Sequence, residues 1–356
     1  MGLAFLWVAF AQPALAMDTD AVVSSLCDAD VVALGELPSH GEAAVQEMRA
    51  SITHELIEQC GFQRVLFESA AIEFFSLEKD AMTRANSDNA LGGFLSSDNL
   101  APFRAWLFDK VTAGKVSVSG IDDQIGASSQ FSRTFLPALI ARASGQPECG
   151  RAVERNLFWR YGDAAPYDVS EQFLLFSCLA SIRGDTLSPE ESFAVEVLLR
   201  LYARQAGIEA FGTRDASMAT IALWHLEKDR ALKTIIWSAN THIAEATGPS
   251  GITPMGQRLA TELGDHYRSV AFTVLDGETA RMGASPSALE ALPPHSLEQG
   301  AARDASGALS YIYDDRLRQQ DGSPSRLMGG VKEADWSRMF DGVVVLPETC
   351  PPSYSR

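Results

Sequence analysis

The sequence predicts an α/β fold, with a mostly parallel central sheet flanked by helices and a helical insertion covering the carboxyl edge of the strands. Three observations predict it. Short apolar runs rich in β-branched residues alternate with longer amphipathic stretches, the pattern of successive βαβ units. The first unit, residues 30–69, has the size of a right-handed crossover between parallel strands. A long stretch of helical periodicity with little strand signal, about 127–230, then interrupts the alternation.

The elements follow in order. The start, "MGLAFLWVAFAQPALAMDTD", is an apolar run closed by Ala14-Leu15-Ala16. That small-residue pattern is expected to be the cleavage site of a signal peptide over residues 1–16. Residues 17–356 then form one exported domain, periplasmic or extracellular. "DVVALG" (30–35) reads as a buried strand. In the next segment Val45, Met48, Ile52, Leu56 and Ile57 fall at helical spacing, and Gly61 supplies a stop. "RVLFES" (64–69) is the second strand. Residues 71–112 read as helical, broken at "ANSDNALGG", and "KVSVSGID" (115–122) is the third strand. After the insertion come strands at "LKTIIWSAN" (232–240), "YRSVAFTVLDGE" (267–278) and "DGVVVLPET" (341–349). The Ala-, Ser-, Pro- and Gly-rich stretch 279–309 reads as irregular.

Composition narrows the function. Hydrophobic residues make up 46% of the chain and charged residues 21%, so it can bury a core. The net charge is −17 and there is no Lys/Arg run, which argues against nucleic acid and anionic membranes as partners. No later segment is apolar for about 18 residues, so no stable membrane insertion is expected. A small molecule is the expected partner; the oligomeric state is open. Of the five cysteines, Cys27 with Cys60 and Cys149 with Cys178 are candidate disulfides; buried unpaired thiols are the alternative. No cysteine or histidine spacing suits zinc. A G-x-S-x-G elbow, a Walker A motif, G-x-G-x-x-G and H-E-x-x-H are all absent, which argues against the corresponding enzymes.

Ligands of open α/β sheets bind beyond the carboxyl ends of the strands. Four predicted strands end there in functional side chains: Glu36 with His40, Glu68, Asp122 with Asp123, and Asn240 with His242. An imidazole held unprotonated is a general base near neutral pH, and a carboxylate beside it fixes its tautomer and stabilises the imidazolium. A helix start at His40 disfavours its charged form, whereas Glu36 and Glu68 favour it. Arg49, one helix away, could steer a carboxylate or an oxyanion. Plainer readings stand beside these: Glu36 as a solvated loop acid, His40 and Glu42 as a helix start, Glu68–Arg49 as a structural ion pair, Asp122 as a turn residue and His242 as a satisfied histidine.

These residues sit in a block, "DADVVALGELPSHGEAAVQEMRASITHELIEQCGFQRVLFES", that resembles the opening of the erythromycin esterase-like family. "RDASMA" (214–219), "TIIWSANTHIAEA" (234–246) and "MGQRLATELGDHYRSVAF" (255–272) resemble later family segments in the same order. The resemblance implies a hydrolase of an ester or macrolactone that needs no metal or other cofactor and forms no covalent intermediate. By that resemblance His40 activates water with Glu36 and Glu68, while Arg49 and His242 contact the carbonyl. Arg214, Asn240 and Asp122 shape the substrate side. The chain departs from the family pattern twice. Three residues (Leu37, Pro38, Ser39) rather than two separate Glu36 from His40, and Ala239 stands where the later block has its first histidine. The alternative function is a non-catalytic small-molecule or haem-binding protein using the same edge.

Overall fold

The computed structural model describes residues 19–79, 83–125, 130–158, 169–182, 187–304 and 309–355. The expected signal peptide, residues 1–16, lies outside them. The chain opens with helix α1 (Asp20–Leu26), which the sequence reading passed over, and strand β1 (Val31–Leu34). Helix α2 (Ala43–Cys60) crosses to β2 (Arg64–Ala70), and α3 (Ala71–Lys79), α4 (Arg84–Leu91) and α5 (Ala101–Thr112) lead to β3 (Ser117–Asp122). The expected polar break is itself mostly α4, which Thr83 caps by accepting from the Asn86 N–H. Five helices follow: α6 (Gln130–Ser144), α7 (Pro147–Phe158), α8 (Val169–Ala180), α9 (Pro189–Gln205) and α10 (Arg214–Lys228). Then come β4 (Thr234–Trp237), α11 (Asn240–Ile243), α12 (Met255–Leu263) and the long β5 (Tyr267–Thr279).

The stretch read as irregular, 279–309, holds a two-residue strand, β6 (Ser287–Ala288), and a helix, α13 (Leu297–Asp304). Its small residues hid the helix, whose buried side comes from Leu297, Glu298 and Ala301. Strand β7 (Ser310–Tyr313) is followed by β8 (Pro324–Ser325) and β9 (Lys332–Glu333), which pair with each other, and β7 and the final strand β10 (Gly342–Thr349) complete the main sheet. Its order is β3-β2-β4-β1-β5-β10-β7, with β6 on β5. Every pair from β3 to β10 is parallel; β7 and β6 pair antiparallel.

Alternation along the strands explains why both faces are covered. Val31 and Ala33 of β1, Leu66 of β2 and Ile236 of β4 pack with α6–α10 and α12. Val32, Leu34, Val65, Phe67 and Ile235 point the other way, onto α1, α2 and α5. A sheet buried on both faces needs the near-continuous apolar runs seen in the sequence. Strand β4 inserts between β1 and β2, so the first two strands are not the neighbours the sequence suggested. The chain leaves β1 along one face through α2 and leaves β4 along the other through α11 and α12. The crevice beyond β1 and β4 is therefore the topological switch point, where such sheets bind ligands.

Both candidate disulfides form: Cys27 to Cys60, and Cys149 to Cys178; Cys350 is free and exposed. The second ties α7 to α8 across 29 residues. Loop-closure entropy gives a cross-link of that span about 3–4 kcal/mol. We expect the Cys149→Ser, Cys178→Ser double variant to lose stability on that scale in urea unfolding. A loss below about 1 kcal/mol would mean that the link restrains the unfolded chain little.

Candidate active site

The turn after β1 is built by close packing. A side chain on Gly35 would lie 2.0 Å from Asn240 Oδ1, and one on Gly41 would lie 2.4 Å from Thr279 Oγ1. Only glycine lets the chain pass at both points. Between them the His40 N–H donates to the Leu37 carbonyl at 3.0 Å, closing a tight turn through Pro38 and Ser39. His40 takes φ 55°, the left-handed region that a histidine occupies at a cost of about 1–3 kcal/mol. Glu42 pins the turn: it is buried and accepts from Ser39 Oγ, Thr279 Oγ1 and the Gly41 N–H.

The three-residue spacer does not separate Glu36 from His40. His40 Nδ1 lies 3.2 Å from Glu36 Oε1, and Arg49 Nη1 lies 2.7 Å from the same oxygen. The His40 ring stacks on Phe94 at 4.1 Å with planes 14° apart. Burial acts to raise Glu36's pKa, but the charges of Arg49 and His40 outweigh it, so the carboxyl is held below its usual range. For His40 burial favours the neutral ring; Glu36, and more distantly Glu68, outweigh burial and raise the pKa. With Nδ1 turned to Glu36, Nε2 is the nitrogen available to a reactant. Burying the charged form therefore decides neither group; the neighbouring opposite charge does.

The second cluster gathers on Arg214, the first residue of α10. A bulge at Glu68–Ser69 in β2 turns the Glu68 carboxylate towards it. Arg214 donates from Nε and Nη2 to the two oxygens of Asp122, at 3.1 and 2.6 Å, and from Nη2 to Glu68 at 2.8 Å. Its Nη1 lies 3.1 Å from His242 Nε2, and His242 Nδ1 lies 2.8 Å from Asp215. Arginine can only donate, so the neutral His242 ring carries its proton on Nδ1 and gives it to Asp215. Burial works against a charged His242, but the bond to Asp215 and the charge of Glu68 raise its pKa. Glu68 also accepts from Ser238 Oγ at 2.7 Å and from the Ala239 N–H at 2.9 Å. Burial opposes its ionisation, yet His242, His40 and Arg214 together hold its pKa down to about 2. Asp122 is different: its burial outweighs Arg214 and raises its pKa. Glu68 thus acts on both histidines and links the two clusters.

Three expectations need correction. The Glu68–Arg49 pair does not form; Glu68 pairs with Arg214, and Arg49 with Glu36. Arg49 is also fully enclosed. It donates to the Leu34 carbonyl at 3.0 Å and lies over the Trp237 ring at 4.3 Å, so it braces Glu36 from behind and does not face a substrate. Asn240 is likewise fully buried, spending its amide on the Phe272 and Leu327 carbonyls and the Phe272 N–H. Both positions were inferred from chain distance to the strand ends, which does not distinguish the surface of a crevice from its floor. His40, Glu68, Asp122, Arg214 and His242 do come together at the strand ends.

Sequence reasoning missed Phe94, Asp215, Ser238 and Gln46. Gln46 donates towards the carbonyls of His40 and Phe94, at 3.5 and 3.4 Å, and accepts from Ser97 at 2.7 Å. The available signal was on α2. Gln46, Arg49 and Thr53 recur three and four residues apart, so they share the inward side with the apolar positions. Asp215 had a signal too, lying beside Arg214 at a helix start. Among the described residues, no group of three or more His, Cys, Asp or Glu side chains is placed to hold a metal ion.

Comparisons with known proteins bear on the sequence and the fold. The family model described as "Erythromycin esterase" matches residues 187–349. Erythromycin esterase type II of Escherichia coli is 37% identical over 76 residues; that is 20% of this chain and 18% of that protein, so the chain matches under a fifth of the relative. Among solved structures, an erythromycin esterase mutant, EreC in its open conformation, superposes with a TM-score of 0.69 at 18% identity, covering 92% of this chain and 93% of that one. A succinoglycan biosynthesis protein superposes with a TM-score of 0.71 at 16% identity, covering 95% and 92%. At such identities the structures establish the fold, and the sequence match is confined to residues 187–349 and to a 76-residue segment. Residues 187–349 are therefore similar in sequence to the erythromycin esterase family, and the chain's fold is similar to that of a solved erythromycin esterase.

Proposed function

We propose that this protein is a hydrolase of an ester or macrolactone that uses water activated by His40. The observation that carries the reading is the His40 arrangement: Nδ1 against a buried carboxylate, the ring stacked on Phe94, and Nε2 left for a reactant. In the first step Nε2 takes a proton from water as the oxygen attacks the carbonyl carbon. Glu36 stabilises the imidazolium so formed. The proton then passes to the departing alkoxide as the C–O bond breaks, giving an acid and an alcohol. Arg214 is the group suited to the oxyanion. Four of its five N–H donors are spent on Asp122, Glu68 and His242; the fifth, on Nη1, has no partner among the described residues and can meet developing charge. His242, held by Asp215, orients that nitrogen.

Arg49 and Asn240 are positioning residues in this scheme. The two disulfides suit an oxidising compartment, which supports export as the setting. The test is incubation of the purified protein with a panel of linear esters and macrolactones, following products by mass. Addition of one water to an ester, lost in a His40 variant, is the expected result; no turnover of any ester would sink the reading.

The pH profile has a defined sign. Neutral His40 is the active form, and its pKa is raised, so kcat/KM should climb as pH rises through a value above the usual 6.5. Glu36→Gln removes the charge that opposes burial. The acid limb should then move to lower pH while kcat falls, because the imidazolium loses its partner. An unmoved limb would show that another group sets it.

A further inference from the structure

Glu42 stands at the head of α2, where an acidic side chain ordinarily turns to the first free N–H groups of its helix. Here it makes no such cap. The Ala43 N–H donates to the Cys350 carbonyl at 3.0 Å and the Ala44 N–H to Thr349 Oγ1 at 3.2 Å, so the end of β10 serves α2 instead. The Glu42 carboxyl turns back towards the turn. Its Oε1 accepts from Ser39 Oγ and from Thr279 Oγ1, both at 2.6 Å, and its Oε2 from the Gly41 N–H at 3.1 Å. Glu42 is only 1% exposed. Among the described residues no cation pairs with it, and Arg326 feels its charge without forming an ion pair. Burial raises its pKa, and the charge of Glu36 adds to this, against the bonds from Ser39, Thr279 and Gly41. A buried carboxylate without a cation is costly. A neutral hydroxyl or amide would close a turn without that penalty.

What the carboxyl joins explains why it is there. Ser39 directly precedes His40, Gly41 directly follows it, and Thr279 is the last residue of β5. One carboxyl therefore clamps both chain neighbours of His40 to the end of a central strand. The Ala280 N–H adds a bond to the Gly41 carbonyl at 3.3 Å. His40 stays at φ 55° only if its surroundings fix it there. In that conformation Nδ1 reaches Glu36 at 3.2 Å and the ring lies on Phe94 at 4.1 Å. A misplacement of about 1 Å at a reacting group can cost about 10²-fold in rate. We propose that Glu42 is a positioning residue for the hydrolysis: by tying Ser39 and Gly41 to Thr279, it holds His40 in the left-handed turn, with Nδ1 on Glu36 and Nε2 left for water. The reaction rests on the hydrolase reading; the hold on His40 does not.

The test compares Glu42→Leu, which removes the acceptor, with Glu42→Gln, whose amide oxygen still accepts from Ser39 and Thr279. His40 is followed by the NMR titration of its imidazole without substrate, and ester hydrolysis by kcat and KM. In Glu42→Leu, kcat should fall by about 10–10²-fold with KM within about twofold. The His40 pKa should drop as the ring loses Glu36. Glu42→Gln should restore most of both; a loss as large as in Glu42→Leu would overturn the clamp. The Ser39→Ala, Thr279→Val double variant removes the two hydroxyl donors and leaves Glu42 in place. It should move both readouts in the same direction, which keeps the test decisive if Glu42→Leu does not fold. A lower melting temperature with kcat and the His40 titration unmoved would overturn the proposal and leave Glu42 a structural residue. If the wild type hydrolyses no ester, the hydrolase reading fails by itself, and the titration alone decides whether Glu42 sets His40.

Discussion

His40→Asn is expected to slow ester hydrolysis by about 10²–10⁴-fold, the usual contribution of a positioned general base, with little change in KM. Asparagine is the informative replacement. His40 sits at φ 55°, where asparagine is among the more tolerated side chains and alanine is strained, so the turn can keep its shape. The neighbouring geometry also survives in principle: Glu36 keeps Arg49 at 2.7 Å, and Glu42 keeps Ser39 and Thr279. What disappears is a nitrogen able to accept and return a proton. Loss of kcat at unchanged melting temperature would separate a chemical role from a structural one. Residual activity within a few-fold of wild type would remove His40 from the mechanism, whatever the fold. A binding protein on the same edge would behave differently, since His40→Asn would then change ligand affinity in a chain that hydrolyses no ester at all.

How far the sequence revealed this site depends on what each residue touches. Glu36, Glu68 and Asp122 were legible together because acids ending several strands at one edge of one sheet point to a shared site, although Glu36 and Asp122 singly had plain readings as a loop acid and a turn residue. The parallel order was legible in kind, but the insertion of β4 between β1 and β2 was not, because strand order is set by which crossover packs on which face. Local periodicity does not record that choice. Pairing within the site was read wrongly at Arg49. The helix carries Arg49 inward beside Val45, Met48 and Ile52, where Trp237 and the Leu34 carbonyl take up its remaining faces. Apolar periodicity alone marks the inward side of α2; Gln46, Arg49 and Thr53 lie on that same side as a buried polar stripe. The extra residue between Glu36 and His40 looked like a disruption. In three dimensions it is absorbed by the left-handed turn, which the sequence could not announce because histidine gives no hint of positive φ. Ala239, where the family pattern has a histidine, contributes its backbone N–H to Glu68 instead of a side chain.

Removing Arg214 should produce the largest loss of stability among these polar side chains. In Arg214→Met, Glu68 and Asp122 lose their shared cation while both stay buried, and stranding a buried charge in this way typically costs about 3–5 kcal/mol. The effect has a pH signature. Glu68's folded pKa is held down to about 2 from its usual 4.5. A depressed carboxyl stabilises the fold above its unfolded pKa and loses that contribution as pH falls through the folded value. At 1.36 kcal/mol per unit this amounts to about 3 kcal/mol, lost between roughly pH 4.5 and 2. Without Arg214 the Glu68 pKa rises, so the loss should begin at higher pH and be smaller in total. Urea unfolding at neutral pH and along an acid series measures both. Adding Asp122→Asn to Arg214→Met should recover part of the stability, since it removes one of the stranded charges. Because the three groups are in direct contact, the effects should not add. If Arg214→Met costs under about 1 kcal/mol and the acid transition does not move, the cluster is solvated enough to dispense with its cation. Arg214 would then be free to serve the substrate alone.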